Sequence, residues 1–444
     1  SDGVMDLHVD GDTLTSVGAI RLNDIDFTAT WQENFDKQAE YPSQYALAGI
    51  VEGAQWEQLH LPFDPYIEGP VTVEMALFGK GGTMQKGQGT FNLTNSRSIF
   101  VPLGWDKNVG ESGSASFDLT FNGLDDITLS NVSLQSPGLQ AELGLDVVEG
   151  WITRFDIARL TMEKTDFALT MSWDAAEKFY DSKLSGAALD AIPLIEIITA
   201  PRTGAEQIVL PDFNLTAAIE NVQAKNDVTL KDVALAAQYR TQDFTHVTLS
   251  GTQGTQKKLS ITIAPKEENR ELTFASTDAG ESLRGLGLFN IGVGGDMLLT
   301  ADMVNHEHGV SLGGHAKVKD FKVIESPEFS KLLEEKKFQK AQEELKKSGL
   351  TFSSFDMEFR QYNGVMEISK RRASGPMLGM TIEGAVDQSY DELSIKGTII
   401  PAYGINSLLG NIPLIGTILT GGKGQGIFAA TYAIKGSLDK PEIK

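Results

Sequence analysis

Period-two alternation of apolar and polar residues runs through most of this chain, and no other feature constrains the fold as strongly. Successive side chains of a strand point to opposite faces, so each alternating segment carries one apolar and one polar face. Val71, Val73, Met75 and Leu77 alternate with Thr72, Glu74 and Ala76, and Ala115, Phe117, Leu119 and Phe121 alternate with Ser116, Asp118 and Thr120. The pattern returns at Leu139, Ala141, Leu143 and Leu145, at Leu259, Ile261 and Ile263, at Met380 and Ile382, and at Leu393, Ile395 and Gly397. Turn residues punctuate the runs: Gly79-Lys80-Gly81-Gly82, Asn122-Gly123, Pro137-Gly138 and Asn363-Gly364. The chain reads as mainly β, made of many short and mostly antiparallel strands. Periodicity alone leaves three ways to arrange the apolar faces: a closed barrel, a sandwich or an open trough.

Two segments break the alternation. Ser326-Pro327 is a helix-start signal, and Phe329, Leu332, Leu333, Phe338, Ala341 and Leu345 follow at helical spacing until Gly349. A helix over about 327–347 is expected, docked by a narrow apolar stripe, because its other positions are almost all Glu and Lys. Residues 175–200 mix a short helical pattern with the apolar cluster Ile192, Pro193, Leu194, Ile195, Ile197 and Ile198, and periodicity does not decide their type.

At 444 residues the chain exceeds the length over which one core keeps growing, which predicts several domains or an elongated architecture. Its net charge of −22 argues against nucleic acid and against adsorption to anionic membrane surfaces. The absence of cysteine removes disulfides and thiolate chemistry. Residues 1–10 hold no basic n-region followed by an apolar stretch; they alternate as a strand does, which reads as the middle of something longer. Within this acidic chain, Thr398 to Gly422 carries no charge at all, yet Pro401, Pro413 and several glycines interrupt it, so it is a poor membrane span.

Catalytic motifs are weak. His306, His308 and His315 with Asp302 are a conceivable metal set, but Asn305 to Gly309 sits where a hairpin turn belongs. Gly416 to Lys423 nearly spells a phosphate loop, with the lysine one residue late and Gly424 in place of Ser or Thr. Alternation from Ile427 to Ile434 then predicts a strand where such a loop needs a helix. Gly285-Leu286-Gly287 lacks the third glycine of a dinucleotide fingerprint, and no Gly-x-Ser-x-Gly elbow is present. The expectation is a protein that is not an enzyme and uses no cofactor or metal.

The C-terminal third carries a resemblance. Thr277-Asp278-Ala279-Gly280, Leu283-Arg284-Gly285-Leu286-Gly287, Gly294-Gly295-Asp296-Met297, Lys319-Asp320-Phe321-Lys322-Val323 and Arg372-Ala373-Ser374-Gly375 precede Leu378 to Gly384. The closing block is Gly397 to Tyr403, Asn406, Ile412 to Gly416, Gly426 to Ala429 and Tyr432. Together these segments resemble the AsmA-like C-terminal region of YhdP-type proteins. Upstream the likeness is looser, at Phe100 to Lys107 and Gly186 to Leu194. One departure is the segment Leu332–Lys347, typically apolar in the family and here rich in Glu and Lys.

The resemblance implies a bridge-like lipid transfer protein of the Gram-negative envelope, anchored in the inner membrane by a helix outside this sequence. It further implies a periplasmic trough, a C-terminal end directed toward the outer membrane, and a part in outer-membrane biogenesis. The expected fold is then mainly β: an elongated, curled antiparallel sheet forming an open apolar groove, with a few short helices. Expected domains are 1–200 and 201–276, both groove strands, and 277–444, the AsmA-like region.

Phospholipids are the expected partner, moving between the inner and outer membranes. Candidate groove residues are Val71, Val73, Met75, Leu77, Phe117, Leu119, Phe121, Leu259, Ile261 and Ile263. Candidate residues of a C-terminal mouth are Ile399, Ile405, Leu408, Leu409, Ile412, Leu414, Ile415, Ile418 and Leu419, together with Ile400. A scaffold for outer-membrane assembly that conducts no lipid is the alternative. A membrane β-barrel would need aromatic girdles, and the aromatics here are too sparse and irregular.

Overall fold

A computed structural model describes residues 2–36, 38–58, 66–123, 126–200, 210–306, 309–401, 429–437 and 441–443. The fold is mainly β, a curled antiparallel sheet with a few short helices. It divides into two compact units, one of Ser1–Leu194 with Phe213–Ile219 and the other of Ile195–Asp212 with Glu220–Lys444. The helix Ile192–Thr199 and the strand Phe213–Gln223 fall across that division.

In the first unit, strands follow one another as an antiparallel meander: Asp2–Val9, Thr13–Leu22, Ile25–Asn34, Ser43–Val51, Val71–Lys80, Thr83–Asn92 and Ser114–Phe121. Ile127–Ser136, Leu139–Val148, Trp151–Met162, Thr165–Asp174 and Phe179–Asp190 continue it. Most turns are short and use left-handed residues, among them Asn23-Asp24, Gly81-Gly82 and Glu149-Gly150. Two connections are long. Residues 52–70 include the short helix Gln55–Gln58, and residues 93–113 contribute strands Arg97–Phe100 and Trp105–Lys107 of a small separate sheet completed by Ile67–Glu68.

Both long connections leave the same ends of the strands, and there the apolar face is closed. Trp56 is fully buried against Ile25, Phe27, Val51, Val71, Val73 and Leu93. At the end of its strand in the small sheet, Lys107 is buried and donates from Nζ to the carbonyls of Ser96 at 2.7 Å and Asn108 at 3.1 Å. Burial pushes its ammonium below the ordinary lysine value.

The second unit repeats the meander from Thr229–Arg240 through Asp243–Gln253, Lys257–Lys266, Asn269–Ser276, Gly292–His306 and Gly309–Val323. It proceeds through Leu350–Tyr362, Val365–Ser374, Leu378–Asp387, Glu392–Pro401, Ala430–Gly436 and Pro441–Ile443. Asn269–Ser276 pairs with Gly292–His306 from Arg270–Met303 to Ser276–Met297.

Its helices also gather at one set of strand ends. Asp278 caps the helix Ala279–Gly285, accepting from the amides of Glu281 at 3.0 Å and Gly294 at 3.1 Å. The expected helix over 327–347 is two helices, Pro327–Lys331 and Gln339–Ser348, separated by a break and a 3-10 turn at Lys336–Phe338. Ser326 caps the first through a 3.0 Å bond from the Phe329 amide, and Gly349, at φ 81°, follows the second. The break has a packing cause: it turns Leu333 and Phe338 onto the sheet, where both are buried with Ala341, Leu345, Leu350, Phe352, Leu378 and Ile399. The Glu and Lys positions stay outside this core. Among residues 175–200, Phe179–Asp190 is strand and Ile192–Thr199 is helix.

Candidate functional site

Cross-strand register shows what the alternation builds. In the first unit, successive partners across the sheet are Ile20, Phe27, Gly49, Val73, Phe91, Ala115, Leu134, Ala141, Leu160, Phe167 and Gly186. Every one is apolar or glycine. One residue over, the partners are Thr28, Ala48, Glu74, Thr90, Ser116, Ser133, Glu142 and Arg159. The second unit has the same division. Leu259, Ser276, Met297, Val318, Phe355, Ala373, Met380, Ile399 and Ala430 form one row, and Leu249, Ile261, Phe274, Leu299 and Ala316 another.

Strict alternation does not produce these rows unaided, because several strands carry apolar residues three apart. Leu129 and Val132 flank Asn131, Leu230 and Val233 flank Asp232, and Val318 and Phe321 flank Asp320. Each polar residue between them is left-handed, at φ 51°, 50° and 51° respectively. At Asn131 and Asp232 the ladder register shifts, as a β-bulge requires. The extra residue returns the next apolar side chain to the same face: Leu129 faces Leu145 and Val132 faces Leu143. Asn131 is held in place by its Nδ2 donating to Asp118 Oδ2 at 2.8 Å.

On several strands of the first unit burial grades from one end to the other. On Ile25–Asn34 the apolar face runs from Ile25, Phe27 and Ala29, all buried, to Trp31 and Glu33, half-exposed. On Val71–Lys80, Val71 and Val73 are buried while Met75 and Leu77 are half-exposed, and on Leu139–Val148 the change falls after Ala141. The candidate groove residues therefore separate into two groups. Val71, Val73, Phe117 and Leu259 lie in packed cores, whereas Met75, Leu77, Leu119, Phe121, Ile261 and Ile263 line the half-exposed part of the face.

Leu77 and Leu119 are brought together by a strand the alternation did not single out, Thr83–Asn92. Gly87 pairs with both, and a Cβ there would lie 2.7 Å from the Leu77 side chain and 3.3 Å from that of Leu119. Gly89 likewise lies under the Phe117 ring, where a Cβ would come within 2.4 Å. Glycines two apart within a strand are the signal that two neighbouring side chains meet above it. Of the mouth candidates, Ile399 is buried in the core under the helices, with Ile400 beside it. Ile405, Leu408, Leu409, Ile412, Leu414, Ile415, Ile418 and Leu419 lie outside the described residues, as does the near-match to a phosphate loop.

The half-exposed rim of the first unit carries aromatic side chains. Trp31 and Tyr45, paired across two strands, stack with rings 3° from parallel and centroids 6.0 Å apart. Trp31 Nε1 donates to Glu33 Oε2 at 3.3 Å. Burial, and next the Glu33 carboxylate, hold the Tyr45 phenol above its ordinary pKa. Trp173 packs at 5.0 Å on Tyr180, which is buried, and the Tyr180 hydroxyl donates to Ile152 O at 2.7 Å.

In the second unit a buried cation stands at the corresponding rim. Arg270, on the apolar face and buried, donates to the Phe244 carbonyl, to Asp243 and to Asn305. Ala301 and Phe359 of the same unit are also buried.

The polar face carries an open depression of about 670 Å³ lined by Thr72, Glu74, Thr90, Asn92, Ser114 and Gln140 among others. The histidines considered for metal are engaged separately: His306 Nε2 lies 2.8 Å from Ser311 Oγ, His315 Nε2 lies 2.5 Å from Asp356 Oδ1, and Asp302 accepts from Lys266 at 2.9 Å. His308 lies outside the described residues. Among the described residues no group of three or more His, Asp or Glu is placed to hold a metal ion, and no helix is long and apolar enough to cross a membrane. No family model, curated protein or solved structure matches this chain.

Proposed function

We propose that the apolar faces are lipid-bearing walls and that the chain is part of a non-catalytic, bridge-like phospholipid conduit between the inner and outer membranes. The reading places it in the periplasm, with the AsmA-like, YhdP-type character that its C-terminal third resembles. The observation that carries it is the continuity of the apolar rows across consecutive strands, restored at each bulge and left half-exposed over much of the face. A folded protein that needed only a core would bury such rows.

An acyl chain in water costs about 0.8 kcal/mol for each CH₂, so it is stabilised along the whole wall without a tight site at any point. Sliding from row to row exchanges like contacts for like. The polar face keeps the outside wet, and a zwitterionic or anionic head group can remain in water at the rim.

Photo-crosslinking tests this reading. A photoreactive residue in place of Leu119, on the half-exposed apolar face, should give adducts of diacyl lipid detectable by mass spectrometry of the intact protein. The same residue in place of Glu74, on the polar face, should give none. A lipid-free protein with no adduct at Leu119 would favour the scaffolding role.

A further inference from the structure

We propose that the half-exposed rim of the first unit selects lipids whose head group carries an ammonium, through Glu33 and the stacked rings of Trp31 and Tyr45. The inference rests on the lipid-wall reading and adds head-group chemistry to it.

Glu33 is the anomaly. It stands on the apolar face of Ile25–Asn34, in the same row of the strand as Ile25, Phe27, Ala29 and Trp31. Its cross-strand partners are Leu14 and Ser43. A carboxylate on such a face is normally neutralised by a cation, as Asp243 is by Arg270 in the second unit. Among the described residues, Glu33 has no basic partner; its one hydrogen bond comes from the Trp31 indole.

In sequence the adjoining turns carry Asp10, Asp12, Asp36 and Glu40 against Lys37 and Lys80, a net negative set. An acyl chain lying along the strands, over Ala29 and Trp31 or over Met75 and Leu77, would bring its head group to this end, because the other end is closed by Trp56. There a primary or quaternary ammonium meets a carboxylate and one outer face of the Trp31–Tyr45 stack, which attracts a cation through its π electrons. A head group with net negative charge meets the same carboxylate unscreened by any described cation and is repelled.

The test uses the whole chain stripped of lipid in detergent. It is exchanged into vesicles holding equal amounts of phosphatidylethanolamine and phosphatidylglycerol with identical acyl chains, then re-isolated, and its bound lipid is quantified by mass spectrometry. The wild type should be enriched about fivefold in the ethanolamine lipid, the scale of one exposed ion pair with one ring contact. Glu33→Gln should keep the total load and lose the preference, Glu33→Lys should invert it, and Glu74→Gln, which removes a charge from the polar face, should leave it unchanged. Equal loading of both lipids by the wild type, or a preference that survives in both Glu33 variants, overturns the inference and leaves the lipid wall standing. Failure of every form to load either lipid overturns the wall and the inference with it.

Discussion

The two units present the same kind of face with different rims. In the first, burial decreases on Ile25–Asn34 and Val71–Lys80 from the Trp56 core to Trp31 and Leu77, and Glu33 stands on the apolar face with no cation beside it among the described residues. In the second, one end is closed by two helices, and at the other a buried guanidinium satisfies a carboxylate, an amide and a carbonyl. A rim without a described cation and a rim with a buried one thus arise from the same strand pattern. What differs is where one or two polar side chains are placed at strand ends, and whether they are paired within the chain or left for something else.

The largest effect that could break this comparison is at the rim that holds Arg270. Arg270→Met should cost about 3–5 kcal/mol in chemical denaturation, since it leaves the Asp243 carboxylate part-buried without its cation. Replacing both partners, Arg270→Met with Asp243→Leu, should recover much of that loss; if the double variant is no better than the single, Arg270 is not there to neutralise Asp243.

A smaller contrast concerns the gradient along strands. Phe352→Ala, at 1% exposure under the helices, should cost about 3–4 kcal/mol, while Leu77→Ala, half-exposed, should cost about 1 kcal/mol. Equal losses would mean that the first unit's face is as tightly packed as the second's closed end.

The smallest effect belongs to the bulge. Asn131→Val, which forces a β-branched residue into left-handed backbone, should cost about 1–2 kcal/mol, and Asn131→Gly much less. A pH series sharpens the picture of the closed end. Because burial lowers the folded-state pKa of Lys107, the unfolded chain binds more protons between that value and the ordinary lysine value. Stability relative to Lys107→Met should therefore rise with pH across that window.

Much of the architecture can be read from the chain because alternation is a local signal. Leu139 to Leu145 and Leu259 to Ile263 are strands where their pattern places them. The pairs Asn122-Gly123, Pro137-Gly138 and Asn363-Gly364 all lie between paired strands, and the Ser326 cap and the Gly349 stop are both present. Strands with a bulge, such as Ile127–Ser136 and Trp151–Met162, were harder to see because one extra residue shifts the phase midway.

Period two also assigns a face but not a depth. Nothing in Val71, Val73, Met75 and Leu77 distinguishes the buried pair from the half-exposed pair, since that is decided by Trp56 arriving from a connection outside the strand. Glu33 was hidden for a different reason. In a chain with sixty carboxylates, one more carries no weight until register shows which face it occupies.

The left-handed residues within the strands have an evolutionary consequence. Adding or deleting one residue in a strand is a frame error, because everything beyond it would turn its apolar side chains outward. Asn131 and Asp232 act as frame corrections inside the same strand, so the error ends where it began. A wall built this way tolerates single-residue insertions, provided that each brings a residue able to adopt the left-handed turn. Related sheets can therefore diverge in strand length while the continuity of their apolar face is inherited intact.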